Sequence, residues 1–234
     1  MEGAINLRPV GSLRGVYRGG DPTAITAAAA RCLRDRHGVR SFVDLRTEFE
    51  VDRSGPPVGL FSGGIRWIRS PVASRKRGPI AGPDPGPEDY CCYYLDILED
   101  SADQLILALR SVAAAPPAPL AFGCYAGKDR TGLLAAILLE IAGASQTDVV
   151  ADYAASERHL LAATDYFAPN WLARGRTAAQ YAHRLATSAT TIELLYRALD
   201  GRTFLSHMRC RGLDPILEAE LAARLRSAYA SALS

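Results

Sequence analysis

The 234-residue chain has no apolar run long enough to cross a bilayer. Its longest, Leu133 to Ala142, is interrupted by Glu140 and falls well short of the roughly 20 residues a spanning helix needs. The opening MEGAINLRPVG holds no apolar signal core, so a cytoplasmic, reducing setting is the expectation. Charge of one sign is also missing. The formal net charge is only +2, which gives no ground for nucleic acid or a membrane surface as partner. Lysine is scarce beside abundant arginine, a bias that speaks of coding rather than function. The histidines His37, His159, His183 and His207 lack metal-ligand spacing. Cys32, Cys91, Cys92, Cys124 and Cys210 are odd in number and match neither a disulfide scaffold nor a zinc site. Core packing is the expected use of Cys91 and Cys92, with reversible protection of Cys124 as the alternative. What is present is an ordinary globular composition, 48% apolar, enough for a sizeable core in a single domain over residues 1–234.

Local patterns alternate between helix and strand. GGDPTAITAAAARCLRDRHG reads as a helix capped by Asp21, with Pro22 in its first turn and Gly38 at its stop. VRSFVDLRT and GIRWIRSPV read as short strands, with DRSGPP as a turn between them. Ala73 to Glu88 is a Gly/Pro-rich loop that opens with the basic cluster Arg75, Lys76 and Arg77. DYCCYYLDILEDSADQLILALRSVAAA is helical with a break at Ser101, and PPAPLAFG is a Pro-led strand. A helix follows Arg130 to Gly143, and another runs through SQTDVVADYAASERHLLAATDYFA from a cap at Ser145 or Thr147. Several helices separated by glycines follow from Arg174. This order predicts an α/β sheet flanked by helices, with a helical lid or elaboration over about 146–211.

Between the strand and the helix lies AFGCYAGKDRTG. Cys124 ends the strand, and Arg130 opens the helix six residues later. The short loop Tyr125 to Asp129, with Ala126 and Gly127, can curl so that its N–H groups point inward and run on into the helix N-terminus. Such a cradle fits a tetrahedral phosphate, and Arg130 can close it with paired hydrogen bonds. The same surroundings favour a thiolate at Cys124, a nucleophile aimed at phosphorus. No metal or cofactor is required. A Walker-type loop is excluded, because Phe122 stands where its first glycine belongs and Asp129 follows the lysine.

CYAGKDRTG resembles the signature loop HCxAGKDRTG of the bacterial tyrosine-phosphatase-like family, within the Cys-x5-Arg phosphatases. INLRPVGSLRGVYRGG is similar to that family's NFRDxGG…LYRS opening, and GVRSFVDLRTEFEVDRSGPP to its DLRxxxE segment. DVVADYAASERHL resembles its DYxxS helix, and FLSHMRCRGLDP its closing segment. The resemblance implies a parallel-leaning central sheet with a helical lid, and hydrolysis of phosphate monoesters. It makes Cys124 the nucleophile and Arg130 the phosphate-binding arginine. It makes Tyr125, Ala126, Gly127, Lys128, Thr131 and Gly132 the substrate-binding loop. Thr131 is implied to bond the thiolate or assist the second step, and Lys128 to favour multiply anionic substrates.

Three departures bear on the activity. Gly123 replaces the family's histidine, which implies a less activated thiol. The aspartate of NFRD is absent from Asn6-Leu7-Arg8-Pro9. The family's general-acid aspartate is missing from SPVASRKRG, leaving Asp129 as the first candidate for the acid or an acid-positioning group and Asp84 the second, with Asp89 nearby. Arg75 to Arg77 read as a solvated charge run or as a clamp for a second anionic group. Asp44 and Arg46 are expected to brace the cradle, and Asp152, Tyr153 and Ser156 to pack or bond locally along one helix face. The expected partner is a phosphorylated substrate: a phosphotyrosine-like group or a small anionic metabolite, such as a nucleoside or sugar-acid phosphate of a biosynthetic pathway. A weak or dead phosphate-binding module is the alternative, and a rhodanese-like sulfur-transfer protein is a third reading that leaves Lys-Asp-Arg-Thr-Gly unexplained.

Overall fold

The computed structural model describes residues 3–75, 80 and 84–230, the last four of them as backbone only. The chain enters through a hairpin, β1 (Arg8–Val10) and β2 (Leu13–Gly19), in the stretch whose sequence signal was family resemblance rather than strand periodicity. Asp21 caps only a single 3-10 turn, Pro22–Ala24. The long helix α1 (Ala27–His37) starts later, because buried Ile25 is extended and Thr26 takes over as cap, accepting from the Ala29 N–H at 3.1 Å. Gly38 ends it in the left-handed region, as the sequence predicts.

Strand β3 (Ser41–Asp44) is followed by two short helices, α2 (Glu48–Ser54) and α3 (Val58–Ser62), before β4 (Arg66–Arg69). The predicted turn at DRSGPP is thus half helical. A capping box between Thr47 and Glu50 nucleates α2, which runs through Asp52 to Ser54 before Gly55 stops it. Helices α4 (Pro87–Asp100) and α5 (Ala102–Ala114) break at Ser101 as expected, but its hydroxyl donates to the Ala73 carbonyl and does not cap α5. Strand β5 (Leu120–Gly123) and α6 (Asp129–Ile141) enclose the loop of interest. The long amphipathic stretch from Ser145 is not one helix. It divides into α7 (Gln146–Ala154), α8 (Ser156–Leu161), a 3-10 turn at Thr164–Phe167 and α9 (Ala168–Leu172). Then come α10 (Ala178–Leu185), α11 (Ala189–Ala198), α12 (Phe204–Cys210) and α13 (Pro215–Ala230).

The five strands run in the order β1-β2-β5-β3-β4, parallel except for the β1–β2 hairpin. β3 and β5 are buried at every position, as interior parallel strands require. Phe42 and Ala121 face a layer made by α1 and α3, while Val43 and Phe122 face the larger core of α4, α5, α6 and α13. α6 is buried through Thr131 to Leu139, so its apolar residues encircle it rather than forming one stripe. The region expected to be a lid splits in two. α11 and α12 join the main core through Ile192, Leu195, Phe204 and Met208. Residues from α8 to α10 instead form a small separate core, with Leu160, Phe167 and Leu185 packed on Ile5, Tyr125 and Ala126. Only this second group sits on the loop between β5 and α6.

Candidate active site

Register places the site. Gly19 of β2 and Asp44 of β3 both pair with Gly123 of β5, so three strand ends open at one level. The crevice beyond the carboxyl ends of parallel strands is where such sheets hold ligands. Cys124 to Lys128 turn across it into α6. Gly127 has φ 71°, and a Cβ there would stand 2.4 Å from the Gly19 carbonyl oxygen, so the position requires glycine.

The loop's carbonyls are drawn outward. The Tyr125 oxygen accepts from the Asp21 N–H at 2.9 Å, and the Gly127 oxygen from Asn6 Nδ2 at 2.8 Å and Arg18 Nη2 at 3.0 Å. The Lys128 oxygen accepts from the Gly132 N–H at 2.8 Å. Each peptide's N–H points opposite its C=O, so the Ala126, Lys128 and Asp129 N–H groups turn to the inner face. Together with the free donors of the first turn of α6 they make an anion nest.

Cys124 lies at the base of this nest, 2% exposed. Arg130 lies beside it, held end-on by Glu50: Nη1 donates to Oε2 and Nη2 to Oε1, each at 2.6 Å. Nη1 also reaches the Leu45 and Val72 carbonyls at 3.3 Å. Nε–H and one Nη2–H have no protein acceptor among the described residues, and these two lie side by side on the guanidinium, the pairing that two phosphate oxygens require. Burial opposes the Arg130 charge, but Cys124 and Glu50 outweigh it and push its pKa upward. Burial likewise opposes the charge on Glu50, and the Arg130 contact holds its carboxyl below its usual value.

Two buried ion clusters hold the frame. Arg46 donates to both oxygens of Asp44 and, at 2.8 Å, to Asp21, while Trp67 Nε1 donates to Asp44 at 2.9 Å. All three charged groups are shielded from water, so the pairing is what makes their burial tolerable. This is the bracing expected of Asp44 and Arg46. In the second cluster Asp152 binds Arg18 and, at 2.7 Å, Arg8, which also donates to Ser156 at 2.9 Å. Burial works against the Asp152 charge, but Arg18 and then Arg8 keep its carboxyl below its usual range. The expectation of local bonding along this helix face is therefore corrected. Asp152 and Ser156 bind across the fold to the N-terminal hairpin, which places Arg18 against the Gly127 carbonyl.

The remaining loop residues differ in their surroundings. Tyr125 and Ala126 pack under α8 to α10, and Asn170 donates to the Tyr125 hydroxyl. Lys128 is 1% exposed; its Nζ donates to the Arg184 carbonyl at 2.9 Å and lies 3.6 Å from the centre of the Tyr90 ring. Burial pulls its pKa down to about 8. Asp129, half-buried, accepts from the Tyr94 hydroxyl at 2.5 Å. Thr131 is fully buried, and its Oγ1 has no hydrogen-bond partner among the described residues, so it makes no bond to the Cys124 sulfur here. At Gly132 a Cβ would sit 3.1 Å from the Tyr153 ring, so its smallness lets α7 close on α6.

Gly123 is constrained by space alone, without the positive φ of Gly127. A Cβ would stand 2.5 Å from the Gly19 oxygen, 2.9 Å from the Gly20 oxygen and 2.9 Å from Phe42. Asp84 sits at the surface 3.7 Å from His183, and Asp89 caps α4 through the Gly86 N–H. Arg75 turns to α5, donating to Asp103 at 2.7 Å and to the Asp100 carbonyl at 3.0 Å, while Lys76 and Arg77 lie outside the described residues. The sequence reading gave no role to Glu50, Asn6, Arg18, Tyr93 or Tyr94. Glu50 was within reach as the last residue of the DLRxxxE segment, and Arg18 within LYRS. The tyrosines carried only a helical spacing. Tyr93 lies within electrostatic reach of Asp129, Arg130 and Cys124, and burial foremost pushes its pKa up to about 12.

Among solved structures, the chain is similar to the core catalytic domain of the PP-IP phosphatase SIW14 from S. cerevisiae in complex with citrate, at 18% identity and TM-score 0.43, covering 65% of this chain and 76% of that one. It is also similar to P. aeruginosa TpbA in complex with pTyr, at 17% identity and TM-score 0.37, covering 59% and 66%. A tyrosine-protein phosphatase of Nostoc commune is 37% identical over 67 residues, 29% of this chain. A protein named a tyrosine-protein phosphatase in Cupriavidus necator is 28% identical over 171 residues, 65% of this chain. The chain spans 23% and 60% of the lengths of these two relatives. A family model described as the tyrosine phosphatase family matches residues 1–209, nearly the whole chain and all of the crevice. The chain belongs to the tyrosine phosphatase family.

Proposed function

We propose that the protein hydrolyses phosphate monoesters through a cysteinyl-phosphate intermediate on Cys124. The observation that carries this reading is the outward capture of the loop carbonyls above a buried cysteine, with Arg130 braced by Glu50 and one donor face left over. The phosphoryl group sits in the nest, its oxygens on the loop N–H groups and on Arg130. The Cys124 thiolate attacks phosphorus as the P–O bond to the leaving group breaks, and Asp129 delivers its proton to the departing oxygen. Water then attacks phosphorus and gives a proton back to Asp129. The S–P bond breaks, and the thiolate returns as phosphate leaves. The nest and Arg130 stabilise the charge on the equatorial oxygens in both steps.

The names of the relatives favour phosphotyrosine, and a small anionic phosphorylated metabolite is the other substrate class. Phosphate release in excess chelator, wild type against Cys124→Ser, tests the reading. The panel spans aryl phosphate, phosphotyrosine peptide, phosphoinositide, and nucleotide and sugar phosphates. Release that vanishes in the variant is expected, and the preferred substrate then ranks signalling against metabolism. Binding of phosphate without release from any member of the panel would favour a phosphate-binding module.

A further inference from the structure

Asp129 does not stand alone. The Tyr94 hydroxyl donates to its Oδ1 at 2.5 Å, and the Tyr94 and Tyr153 hydroxyls are 2.7 Å apart. The chain of bonds runs from α7 through α4 to the first residue of α6, and both tyrosines are buried, Tyr94 completely and Tyr153 to 2% exposure. Their rings also meet edge to face, with centroids 6.0 Å apart.

Counting protons fixes the direction of this chain. A phenol has one proton to give, and an ionised carboxylate can only accept. Tyr94 commits its proton to Asp129, so Tyr153 must be the donor to the Tyr94 oxygen. Burial foremost, with the neighbouring Asp129 charge, raises the pKa of both phenols and so favours their protonated forms. When Asp129 takes up a proton, the bond from Tyr94 occupies Oδ1 and leaves Oδ2 as the oxygen that carries it. A proton on Oδ1 instead would have to displace the Tyr94 donor and reverse both bonds.

We propose that Tyr94 and Tyr153 are positioning residues for Asp129: the Tyr153→Tyr94→Asp129 hydrogen-bond chain fixes the carboxyl and reserves Oδ2 for proton transfer to the leaving group. The inference rests on Asp129 being the acid of the proposed reaction. It also gives the Asp152–Tyr153 pair of α7 two separate tasks. Asp152 steadies the cradle through Arg18, and Tyr153 orders the proton donor. Gly132 permits the second task by letting the Tyr153 ring approach α6.

The test uses leaving-group dependence, which loss of packing does not mimic. An aryl leaving group such as p-nitrophenolate departs without a proton, whereas an alkoxide needs one. kcat/KM is measured for p-nitrophenyl phosphate and for a phosphoserine peptide with Tyr94→Phe, Tyr153→Phe, both together, and Asp129→Asn. Asp129→Asn is expected to lose about 100-fold or more on the alkyl substrate and far less on the aryl one. Tyr94→Phe is expected to show the same selectivity at roughly tenfold, the worth of one hydrogen bond to a charged group. Tyr153→Phe should lose less, and nothing further once Tyr94 is phenylalanine, because it acts through that oxygen. Equal losses on both substrates for Tyr94→Phe and Tyr153→Phe, or no loss, would overturn the chain while selective Asp129→Asn leaves the acid assignment standing. An unselective Asp129→Asn would remove the acid assignment and the chain with it. Should Tyr94→Phe fail to fold, Tyr153→Phe alone decides by the same selectivity.

Discussion

At Gly123 the resemblance and the packing pull in different directions. The missing histidine reads from sequence as a loss of activation, and the structure shows instead that β2 and Phe42 occupy the space a side chain would need. Restoring the family residue with Gly123→His should therefore abolish rather than improve activity. It should also lower the melting temperature by roughly 5 °C or more, as overpacking of a few kcal/mol does in a chain of this size. A more active, equally stable variant would contradict this. Glu50 gives a second test at the same scale. Its carboxyl titrates below its unfolded value, so its contribution to stability is present above about pH 4.5 and is lost as pH falls through the lower folded value. Glu50→Gln should cost about 1–3 kcal/mol at neutral pH, flatten the stability profile below about 4.5 and raise KM for phosphomonoesters by freeing Arg130. The proximity of Cys124 and Arg130 was legible because a cysteine and an arginine at fixed spacing on a strand–loop–helix leave a strong pattern. The contacts of Glu50 and Tyr94 were not, because their partners are 80 and 35 residues away: the DLRxxxE segment marks Glu50 without naming Arg130 as its partner, and no local pattern marks Tyr94.

Among elements, the strands and the position of the α4–α5 break were readable from buried runs and an interrupted helical pattern, although Ser101 does not cap α5 with its side chain. The β1–β2 hairpin was not, since Arg18 sits fully buried where its charge alone would assign it to solvent. Only the contacts with Asp152 and the loop carbonyls explain it. The predicted lid also needed the structure, because the sequence does not say which core receives α8 to α10 and which receives α11 and α12. The clamp between α10 and the cradle is Lys128, whose ammonium and the Tyr90 hydroxyl share the Arg184 carbonyl. With its folded pKa of about 8 below the unfolded value of 10.5, the unfolded chain binds more protons in between. Stability should accordingly rise from about pH 8 to 10 in the wild type, and Lys128→Met should remove that rise. Denaturant melts across this range measure it, and an unchanged slope would place the Lys128 ammonium in water.

For the whole molecule, three parallel strand ends, two buried ion clusters and a turn with its carbonyls tied back converge on the proposed anion site. Binding there should stabilise the folded state as a unit. Orthophosphate or vanadate at 100 times its dissociation constant should add about 2.7 kcal/mol, a rise in melting temperature of roughly 5–10 °C. Arg130→Met should abolish most of that rise, and an undiminished one would put the anion elsewhere. The central claim is covalent, however, and the most direct measurement is to trap the intermediate. Mixing enzyme with an aryl phosphate, followed by a rapid denaturing quench and peptide mass spectrometry, should find one phosphoryl group on the peptide carrying Cys124, formed and lost at the rate of turnover. Turnover with no phosphoryl group on that peptide, or turnover undiminished in Cys124→Ser, would contradict the account.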